Sequence, residues 1–246
     1  MSCNETINGQ IISAIVKWGA ITPRDLYFYL NLNSKFSTLN VRTHTLIKKK
    51  VLKRAKLPSQ KKTIIYACEG TRLLAGDDFK LTPNNQLSHD SALSNICIRL
   101  LQLKNVYDIS TVKQEDETTK FSLIPDAEAC VMHAEGSIQI AIEYEATQKS
   151  KSRIINKYFS YSQSKDYEYV FYFFDTERES LVYAKTLFEL TKSKLNQHSS
   201  LKDEKFYFFV RNKNEEMSDF LKSFKPMYPD NVEYMIKLLN GTVIEN

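Results

Sequence analysis

The chain has 246 residues, of which 42% are apolar and only 6 are glycine and 6 proline. Such a length and composition suit one large or two modest globular domains and exclude a collagen-like or disordered chain. The polar start MSCNETINGQ lacks a secretion signal, and no apolar run is long enough to span a membrane. Four widely separated cysteines without a CxxC pair favour free thiols, so we expect a cytoplasmic protein with no membrane span.

The net charge of +5 is unevenly distributed along the chain. Residues 1–86 hold 14 Lys and Arg against 5 Asp and Glu, a balance of +9. The remaining residues hold 20 against 24, a balance of −4. A strongly positive N-terminal part predicts an anionic partner, and double-stranded DNA is the partner that we expect.

The first eighty residues predict three helices followed by a hairpin. Apolar residues at helical spacing between positions 11 and 16 predict a first helix that ends near Gly19, and Thr22 and Pro23 suit the cap and first residue of a second. A third helix should begin at about residue 37 or 38. Its buried side is expected to hold Leu39, Val41, Leu46 and Ile47. Strand-like runs VLKRAKL and TIIYACE follow, joined by a turn at 58–62, and this order is typical of a winged helix-turn-helix domain over residues 1–80.

The predicted third helix and hairpin carry a concentration of positive charge. From Arg42 to Lys62 there are nine basic residues and no acidic one. We predict that DNA is contacted by Arg42, His44, Lys48, Lys49, Lys53, Arg54, Lys61 and Lys62. The lysines and arginines would bind phosphates with strong salt dependence, whereas Arg42, Thr43 and His44 on the exposed part of the third helix would contact base edges. A solvated basic face or a protein-binding winged helix is the alternative.

A change in pattern after a linker at residues 76–87 predicts a second domain, 87–246. Ser88 is expected to cap a helix that extends to about residue 104. Strand-like runs follow at 106–112, 120–132, 137–146, 167–174 and 205–210, with helices at about 149–163 and 181–195. The tail after Met217 is expected to be helical in part. The predicted fold class is therefore α+β, with a mixed sheet flanked by helices in the second domain.

Several carboxylates are expected on one face of a hairpin in this sheet. A two-residue turn at 135–136 would pair Asp126 with Glu145 and Glu128 with Glu143. These carboxylates would lie on one face of the hairpin, and the isoleucines of the second strand would lie on the other face. Directly opposed like charges destabilise a sheet, so the cluster predicts a hard divalent cation. Basic residues follow at once: Lys149, Lys151, Arg153 and Lys157. Carboxylates that hold a metal beside a lysine suit phosphodiester hydrolysis, and solvated charges at a strand end are the alternative.

Short motifs in this region resemble known families. Pro125-Asp126, followed by Glu143-x-Glu145 at the end of an apolar strand, is similar to the PD-(D/E)xK restriction-endonuclease-like core. Glu145 stands where that pattern has lysine, and Lys157 is similar to the lysine that some branches place on the next helix. The runs LSHD at 87–90, PDA at 125–127 and EYEAT at 143–147, with Lys157-Tyr158 and Tyr161, resemble the replication-relaxation proteins and the MOB-C class of plasmid mobilisation relaxases. The resemblance extends to about residue 175.

The resemblance implies a winged helix joined to a nuclease-like domain, and it implies roles for individual residues. Asp126 and Glu143 would hold Mg²⁺ or Mn²⁺, with Glu145 as a further ligand or general base. Lys157 would contact the scissile phosphate. Secondary members at the rim of the site would be His89 and Asp90. The implied activity is that of a site-specific DNA nickase at a plasmid or mobile-element origin, starting mobilisation or replication, with accessory mobilisation proteins or a second copy of the chain as further partners.

Alternatives for the chemistry and the function stay open at this point. Tyr158 and Tyr161 are candidate nucleophiles, since many relaxases attack DNA with a tyrosine hydroxyl. We favour water, because two helical tyrosines in a chain with 14 of them more often belong to a core. The same core would also serve a transposase subunit or restriction-type nuclease. A replication or transcription regulator with an inactive nuclease-like domain is the third possibility, because lysine is missing two residues after Glu143.

Overall fold

The computed structural model describes residues 6–31, 35–57, 62–76, 79–111, 123–133, 136–194, 205–212, 224–228, 235, 237 and 239–241. The chain divides into two compact units, Met1–Ile98 and Arg99–Asn246. Helices and strands occur in both, which confirms the α+β class. Lys61, most of the turn predicted at 58–62 and the turn residues 134–135 lie outside the described residues. Within the described ranges, no helix has the length and apolar character needed to cross a membrane.

The first unit contains the three helices and the hairpin expected from the sequence. Its elements are α1 (Ile7–Trp18), β1 (Ala20–Ile21), α2 (Pro23–Leu30), α3 (Phe36–Lys48), β2 (Leu52–Leu57), β3 (Lys62–Ala67), α4 (Glu69–Ala75) and α5 (Leu87–Leu100), the last of which belongs to this unit through Ile98. The three strands form an antiparallel sheet in the order β1-β3-β2. β1 and α4 were not predicted.

Local signals explain how the second helix starts and what it packs against. The hydroxyl of Thr22 accepts a hydrogen bond from the backbone N–H of Asp25 at 3.1 Å, and Pro23 follows in the first turn, as predicted. The ring of Trp18, the only tryptophan of the chain, meets Tyr29 edge-on at 5.4 Å between centroids. The apolar side chains buried in these first helices include Ile11, Ile15 and Leu26. Helix capping and apolar spacing therefore predicted this part correctly.

The buried side of α3 differs from the prediction at Val41 and Thr43, and Ile47, also expected there, is only half-buried. Val41, expected in the core, is 65% exposed, whereas Thr43, expected on the surface, is 1% exposed. The Thr43 hydroxyl donates to the carbonyl oxygen of Leu39 at 2.8 Å, so the threonine is buried without an unsatisfied polar group. α3 consequently buries positions 39, 43 and 46, and Val41 lies on the opposite side.

α5 packs within the first unit, although the sequence assigned it to the second domain. Its Ser94 hydroxyl lies 2.8 Å from the carbonyl oxygen of Ala20, and the amide of Asn95 donates to Asp25 at 2.9 Å. The boundary between the two units thus falls inside α5 rather than before residue 87. The helix also begins at Leu87, so Ser88 lies within it instead of capping it.

The second unit contains a six-stranded mixed sheet whose strands follow chain order. Its elements are β4 (Val106–Thr111), β5 (Ala127–His133), β6 (Gly136–Glu145), α6 (Lys151–Gln163), β7 (Tyr169–Phe174), α7 (Glu177–Lys194), β8 (Phe206–Arg211) and β9 (Phe224–Tyr228). The pairs β6–β7 and β7–β8 are parallel, and the other neighbours are antiparallel. The predicted strand 120–132 corresponds to β5, which begins at Ala127 after the non-strand residues 123–126, and residues 120–122 lie outside the described ranges. The tail was expected to be partly helical: residues 235, 237 and 239 are, but β9 is a strand.

α6 and α7 pack against one face of this sheet. The helices contribute Ile154, Tyr158, Tyr161, Tyr183 and Leu187 to a buried cluster, and the strands contribute Ala141, Val170, Tyr172, Phe174, Phe206, Phe208 and Val210. Because side chains alternate along a strand, the face that carries Ala141 also carries Glu143 and Glu145. The two glutamates are therefore turned towards the helices, into an aromatic core.

The register of the β5–β6 hairpin differs from the prediction by two residues. His133 pairs with Gly136, and Ala127 pairs with Ile142. Glu128 consequently lies opposite Ala141 instead of Glu143, and its carboxylate accepts a hydrogen bond from the Tyr167 hydroxyl. A shift by an even number of residues leaves every side chain on its original face, so the predicted facing of the glutamates is retained.

Candidate functional site

Glu143 and Glu145 lie at the carboxyl end of β6, and both are buried. One oxygen of Glu143 accepts a hydrogen bond from the ammonium of Lys157 on α6, and the other accepts one from the hydroxyl of Tyr161. Lys157 and Tyr161 are four residues apart, so they lie on the same face of α6. The helix that directly follows β6 therefore supplies both the ammonium and the hydroxyl that bind Glu143.

Lys157 is held by more than one carboxylate. Its ammonium lies 3.9 Å from Glu145 in addition to its contact with Glu143. Burial alone would lower the pKa of Lys157, but the charges of Glu143, Asp126 and Glu145 raise it above its ordinary value. Lys149 lies 3.5 Å from Glu145 as well. Lys157 is therefore a fixed positive charge at the end of β6.

Asp126 reaches the same strand end from the hairpin partner of β6. Its carboxylate accepts a hydrogen bond from the backbone N–H of Tyr144 at 2.7 Å. Tyr144 is the residue between Glu143 and Glu145 in the sequence. Pairing of β5 with β6 ends at Ala127, so the Asp126 side chain continues the hydrogen bonding where the backbone pairing stops. The three predicted carboxylates are thus gathered around residues 143–145.

The environment of Glu143 raises its pKa to about 7. Burial is the largest cause, because a charged carboxylate loses its hydration, and the nearby charge of Asp126 acts in the same direction. Lys157 and the Tyr161 hydroxyl oppose the shift without cancelling it. Glu143 therefore exchanges a proton near neutral pH, which is typical of functional carboxyl groups in clefts.

The donor chemistry of this cluster fits a hard divalent cation, since such ions bind carboxylate oxygens. The ammonium of Lys157 already occupies the position of a shared cation for Glu143 and Glu145. In the part of the chain that the structure describes, no group of three or more His, Cys, Asp or Glu side chains is placed to hold a metal ion. A divalent cation at this position would therefore have to displace the lysine from Glu143.

Tyr158 and Tyr161, the candidate nucleophiles, are both core residues. Tyr158 is 2% exposed and its ring packs on Phe206 at 4.6 Å between centroids. Tyr161 is fully buried, and burial together with the charge of Glu143 raises the pKa of its hydroxyl. A phenol with a raised pKa is a weak nucleophile. The role of Tyr161 as a hydrogen-bond donor to Glu143 was not predicted, although its spacing from Lys157 would have indicated it.

Arg211 is a further charged residue at this end of the sheet that the sequence did not single out. It ends β8, pairs with Asp175 at 3.1 Å, and its guanidinium lies 5.3 Å from the ring centre of Tyr144. Asp175 directly follows β7. Since β6, β7 and β8 are parallel, their carboxyl ends share one edge, where charged residues after each strand would have been the signal. The Arg211–Asp175 ion pair therefore contacts the ring of Tyr144, the residue between Glu143 and Glu145.

His89 and Asp90, the predicted secondary members, lie on α5 in the first unit. The Asp90 carboxylate accepts a hydrogen bond from the Thr82 hydroxyl at 2.8 Å, and the His89 ring nitrogen lies 3.6 Å from it. Gly19 lies against the same carboxylate, where an added Cβ would come within 3.1 Å of an oxygen. Asp90 thus has structural partners of its own, and the predicted catalytic role of both residues stays a prediction.

The predicted DNA-contacting residues share one property, which is exposure. The members that the structure describes, here called the basic surface, are Arg42, His44, Lys48, Lys49, Lys53, Arg54 and Lys62, and all are exposed. Lys50 adopts a left-handed φ of 59° and turns the chain from α3 into β2. Gly70 of α4 lies against the carbonyl of Lys50, where any side chain would collide with it. Helix α4 therefore packs closely against the turn between α3 and β2, the elements that carry most of the basic surface.

A groove of about 370 Å³ lies beside α3 within the first unit. It is lined by Pro23 from the start of α2, by residues of α3 and by residues of the hairpin. The other lining residues are Phe36, Asn40, His44, Arg54 and Thr63. Two members of the basic surface, His44 and Arg54, therefore face a common space.

Comparisons with protein-family models, with curated proteins and with solved structures found no match for this chain. A function for the protein therefore has to be argued from its own residues.

Proposed function

We propose that this protein is a metal-dependent DNA nickase, in which a winged helix in the first unit binds duplex DNA and a restriction-endonuclease-like second unit cleaves one strand. The observation that carries the proposal is the cluster at the end of β6, where the ammonium of Lys157 lies between the buried Glu143 and Glu145 and the carboxylate of Asp126 binds the backbone between them. Burying carboxylates around a shared cation costs desolvation free energy, and clusters of this kind occur most often at functional sites.

The topology around the cluster supports a nuclease-like unit. A hairpin, β5–β6, supplies Asp126 and the two glutamates, and α6 then crosses to the parallel strand β7 and supplies Lys157. The lysine that the PD-(D/E)xK pattern would place two residues after Glu143 is replaced in space by a lysine from the next helix. The charge needed at the site is therefore present although the motif departs from the pattern.

Each side chain of the cluster would have a distinct task in hydrolysis. Asp126 and Glu143 would hold Mg²⁺ or Mn²⁺, which when bound polarises a phosphoryl oxygen and makes water a stronger nucleophile. Glu145 would be a further ligand or accept the proton of the attacking water. Lys157, once released from Glu143, would stabilise negative charge on the scissile phosphate. Tyr161 would keep Glu143 oriented through its hydrogen bond.

The first unit would deliver the DNA. The third helix of a winged helix enters the major groove, and here α3 and the hairpin carry the exposed basic surface. Its lysines and arginines would neutralise phosphates, which gives affinity without reading sequence. We place the activity in the cytoplasm, at an origin-type site on a plasmid or other mobile element, with accessory mobilisation proteins or a second copy of the chain as further partners.

Incubation of supercoiled plasmid with the full chain tests the proposal. Wild type should convert the plasmid to open circles with Mn²⁺ and not with EDTA. Asp126→Asn and Glu143→Gln should abolish nicking and leave DNA binding intact or stronger, because each removes negative charge that repels DNA. Glu189→Gln is a matched control, since Glu189 is an exposed carboxylate of the second unit that forms an ion pair with Lys151, away from the cluster. Nicking by the two site variants at the wild-type rate would exclude this cluster as the active site.

A regulator with an inactive nuclease-like unit is the second candidate. Two observations favour it: Lys157 already neutralises Glu143, and the described residues contain no group placed to hold a metal. Such a protein would bind DNA through the basic surface and never cut it. Wild-type protein that binds plasmid tightly but produces no open circles at any Mn²⁺ concentration would establish this alternative.

A further inference from the structure

We propose that the groove beside α3 binds one unpaired nucleotide of DNA, so that the first unit prefers DNA in which a base is displaced from the helical stack. The proposal rests on the proposed function, because it assigns the DNA substrate of the same unit more closely. The groove has a volume of about 370 Å³ and is open to solvent, so a bound nucleotide would lie against its walls rather than be enclosed by them.

One wall of the groove is apolar. It consists of Pro23 and the ring of Phe36, which is 40% exposed. The ring of Tyr27 meets Phe36 edge-on at 5.4 Å between centroids and so restricts its orientation. An exposed aromatic face held in place is a stacking surface for a nucleobase. A backbone phosphate alone would gain nothing from such a wall.

The other walls supply polar groups that are exposed to the space of the groove. No described residue forms a hydrogen bond or ion pair with the side chains of Asn40, His44 or Arg54. The amide of Asn40 offers a donor and an acceptor side by side, which matches the edge of a base. Arg54 offers a planar fork of donors that suits the phosphate of the same nucleotide. Two elements, α3 and β2, thus place complementary polar groups beside one space.

The position of the groove explains how it would act together with duplex binding. Phe36, Asn40 and His44 follow one another at intervals of four residues, so they form one line along the flank of α3. Beyond the groove, α3 continues to Lys48, which is exposed and belongs to the basic surface. A duplex bound through the basic surface would therefore present a displaced base to the side of the same helix.

Binding of two fluorescent duplexes to the full chain tests this inference. The duplexes share one sequence, but one contains a single extrahelical nucleotide, placed as 2-aminopurine so that stacking also quenches its emission. Wild type should bind the bulged duplex about tenfold more tightly, the size expected for stacking of one base on an aromatic ring. Phe36→Leu, which keeps an apolar wall but removes the ring, should abolish both the preference and the quenching.

Two further variants make the outcome decisive. Asn40→Ala should reduce the preference independently of the Phe36 ring, so that a folding defect of one variant does not decide the result. Lys53→Ala, a change in the basic surface outside the groove, should weaken both duplexes equally and keep the preference. Equal binding of the two duplexes by wild type, or a preference that survives both groove variants, would overturn the inference alone. Failure to bind either duplex would overturn the DNA-binding function together with it.

Discussion

Replacement of Glu143 by glutamine should change how the stability of the protein depends on pH. The pKa of this carboxyl is raised from 4.5 to about 7 in the folded chain, chiefly by burial. A shift of about 2.5 units corresponds to about 3 kcal/mol, at about 1.36 kcal/mol per unit. Between pH 4.5 and 7 the folded state binds this proton more tightly than the unfolded state, so stability falls as the pH rises through that range. Glutamine carries no such proton and loses none of this stability.

Urea unfolding at a series of pH values measures the effect, with EDTA present so that no metal ion contributes. Between pH 5 and pH 8 the unfolding free energy of Glu143→Gln should improve relative to wild type by about 2–3 kcal/mol. Asp126 and Glu145 remain as counter-charges for Lys157 in this variant. Glu189→Gln serves as the control, because Lys151 lowers the pKa of Glu189 below this range and no trend is expected. A constant difference between Glu143→Gln and wild type across the series would refute the buried, proton-binding carboxyl.

Three further outcomes follow from the sites described. Alanine at four members of the basic surface, Lys48, Lys49, Lys53 and Arg54, should weaken duplex binding and reduce the slope of log K against log salt by about 0.9 for each lost phosphate contact; an unchanged slope in a salt titration would contradict the assignment. Lys157→Ala should slow Mn²⁺-dependent nicking about 10²–10³-fold, measured by single-turnover cleavage, while metal binding persists. Tyr158→Phe and Tyr161→Phe should retain nicking, the latter at a lower rate because Glu143 loses the hydrogen bond that orients it. Neither wild type nor either variant should form a DNA adduct that survives boiling in detergent, and a wild-type adduct that is lost in either variant would establish a tyrosine nucleophile.

Local signals in the sequence were sufficient for most of the secondary structure. Thr22-Pro23 marks the start of α2 because a hydroxyl cap and a fixed φ act within one turn. The strands of the second unit follow from β-prone apolar runs for the same local reason. β9 and α4 have weaker local patterns, and α4 depends on contacts such as that between Cys68 and the carbonyl of Lys50, 3.1 Å away. Contacts of that range leave no periodicity in the sequence.

The misplaced residues of α3 and of the β5–β6 hairpin have a different cause. Hydrophobicity alone ranks Val41 above Thr43 for burial, but a threonine that bonds to its own helix loses that disadvantage. In the hairpin, two registers that differ by two residues bury the same side chains, so alternation does not separate them and only the turn does. In both cases the sequence is compatible with two arrangements of similar burial. A hydrogen bond decides between them in α3, and the position of the turn decides in the hairpin.

The candidate site was predicted in its acidic members and less well in its partners. Glu143 and Glu145 were identifiable because charged residues end an apolar strand, and Asp126 because it precedes the paired one. The hydrogen bond from Tyr161 to Glu143 and the pairing of Arg211 with Asp175 join residues far apart in the chain. Helical spacing from Lys157 and a position at a strand end mark Tyr161 and Arg211 as candidates, but which carboxylate each of them meets depends on the sheet order, which local patterns do not contain.

The burial of Trp18 gives the protein an optical property of practical use. As the only tryptophan of the chain, it lies in the first unit, where its ring contacts Tyr29 and the ammonium of Lys17 lies 5.1 Å from its centre. Emission excited at wavelengths that tyrosine does not absorb will therefore report the first unit alone. Near-ultraviolet circular dichroism reports the packed aromatic residues of both units together, among them Tyr29 of the first and Tyr172 and Tyr183 of the second. A tryptophan transition that comes before or after the dichroism transition would therefore show, in one sample of the unmodified chain, that the two units melt separately.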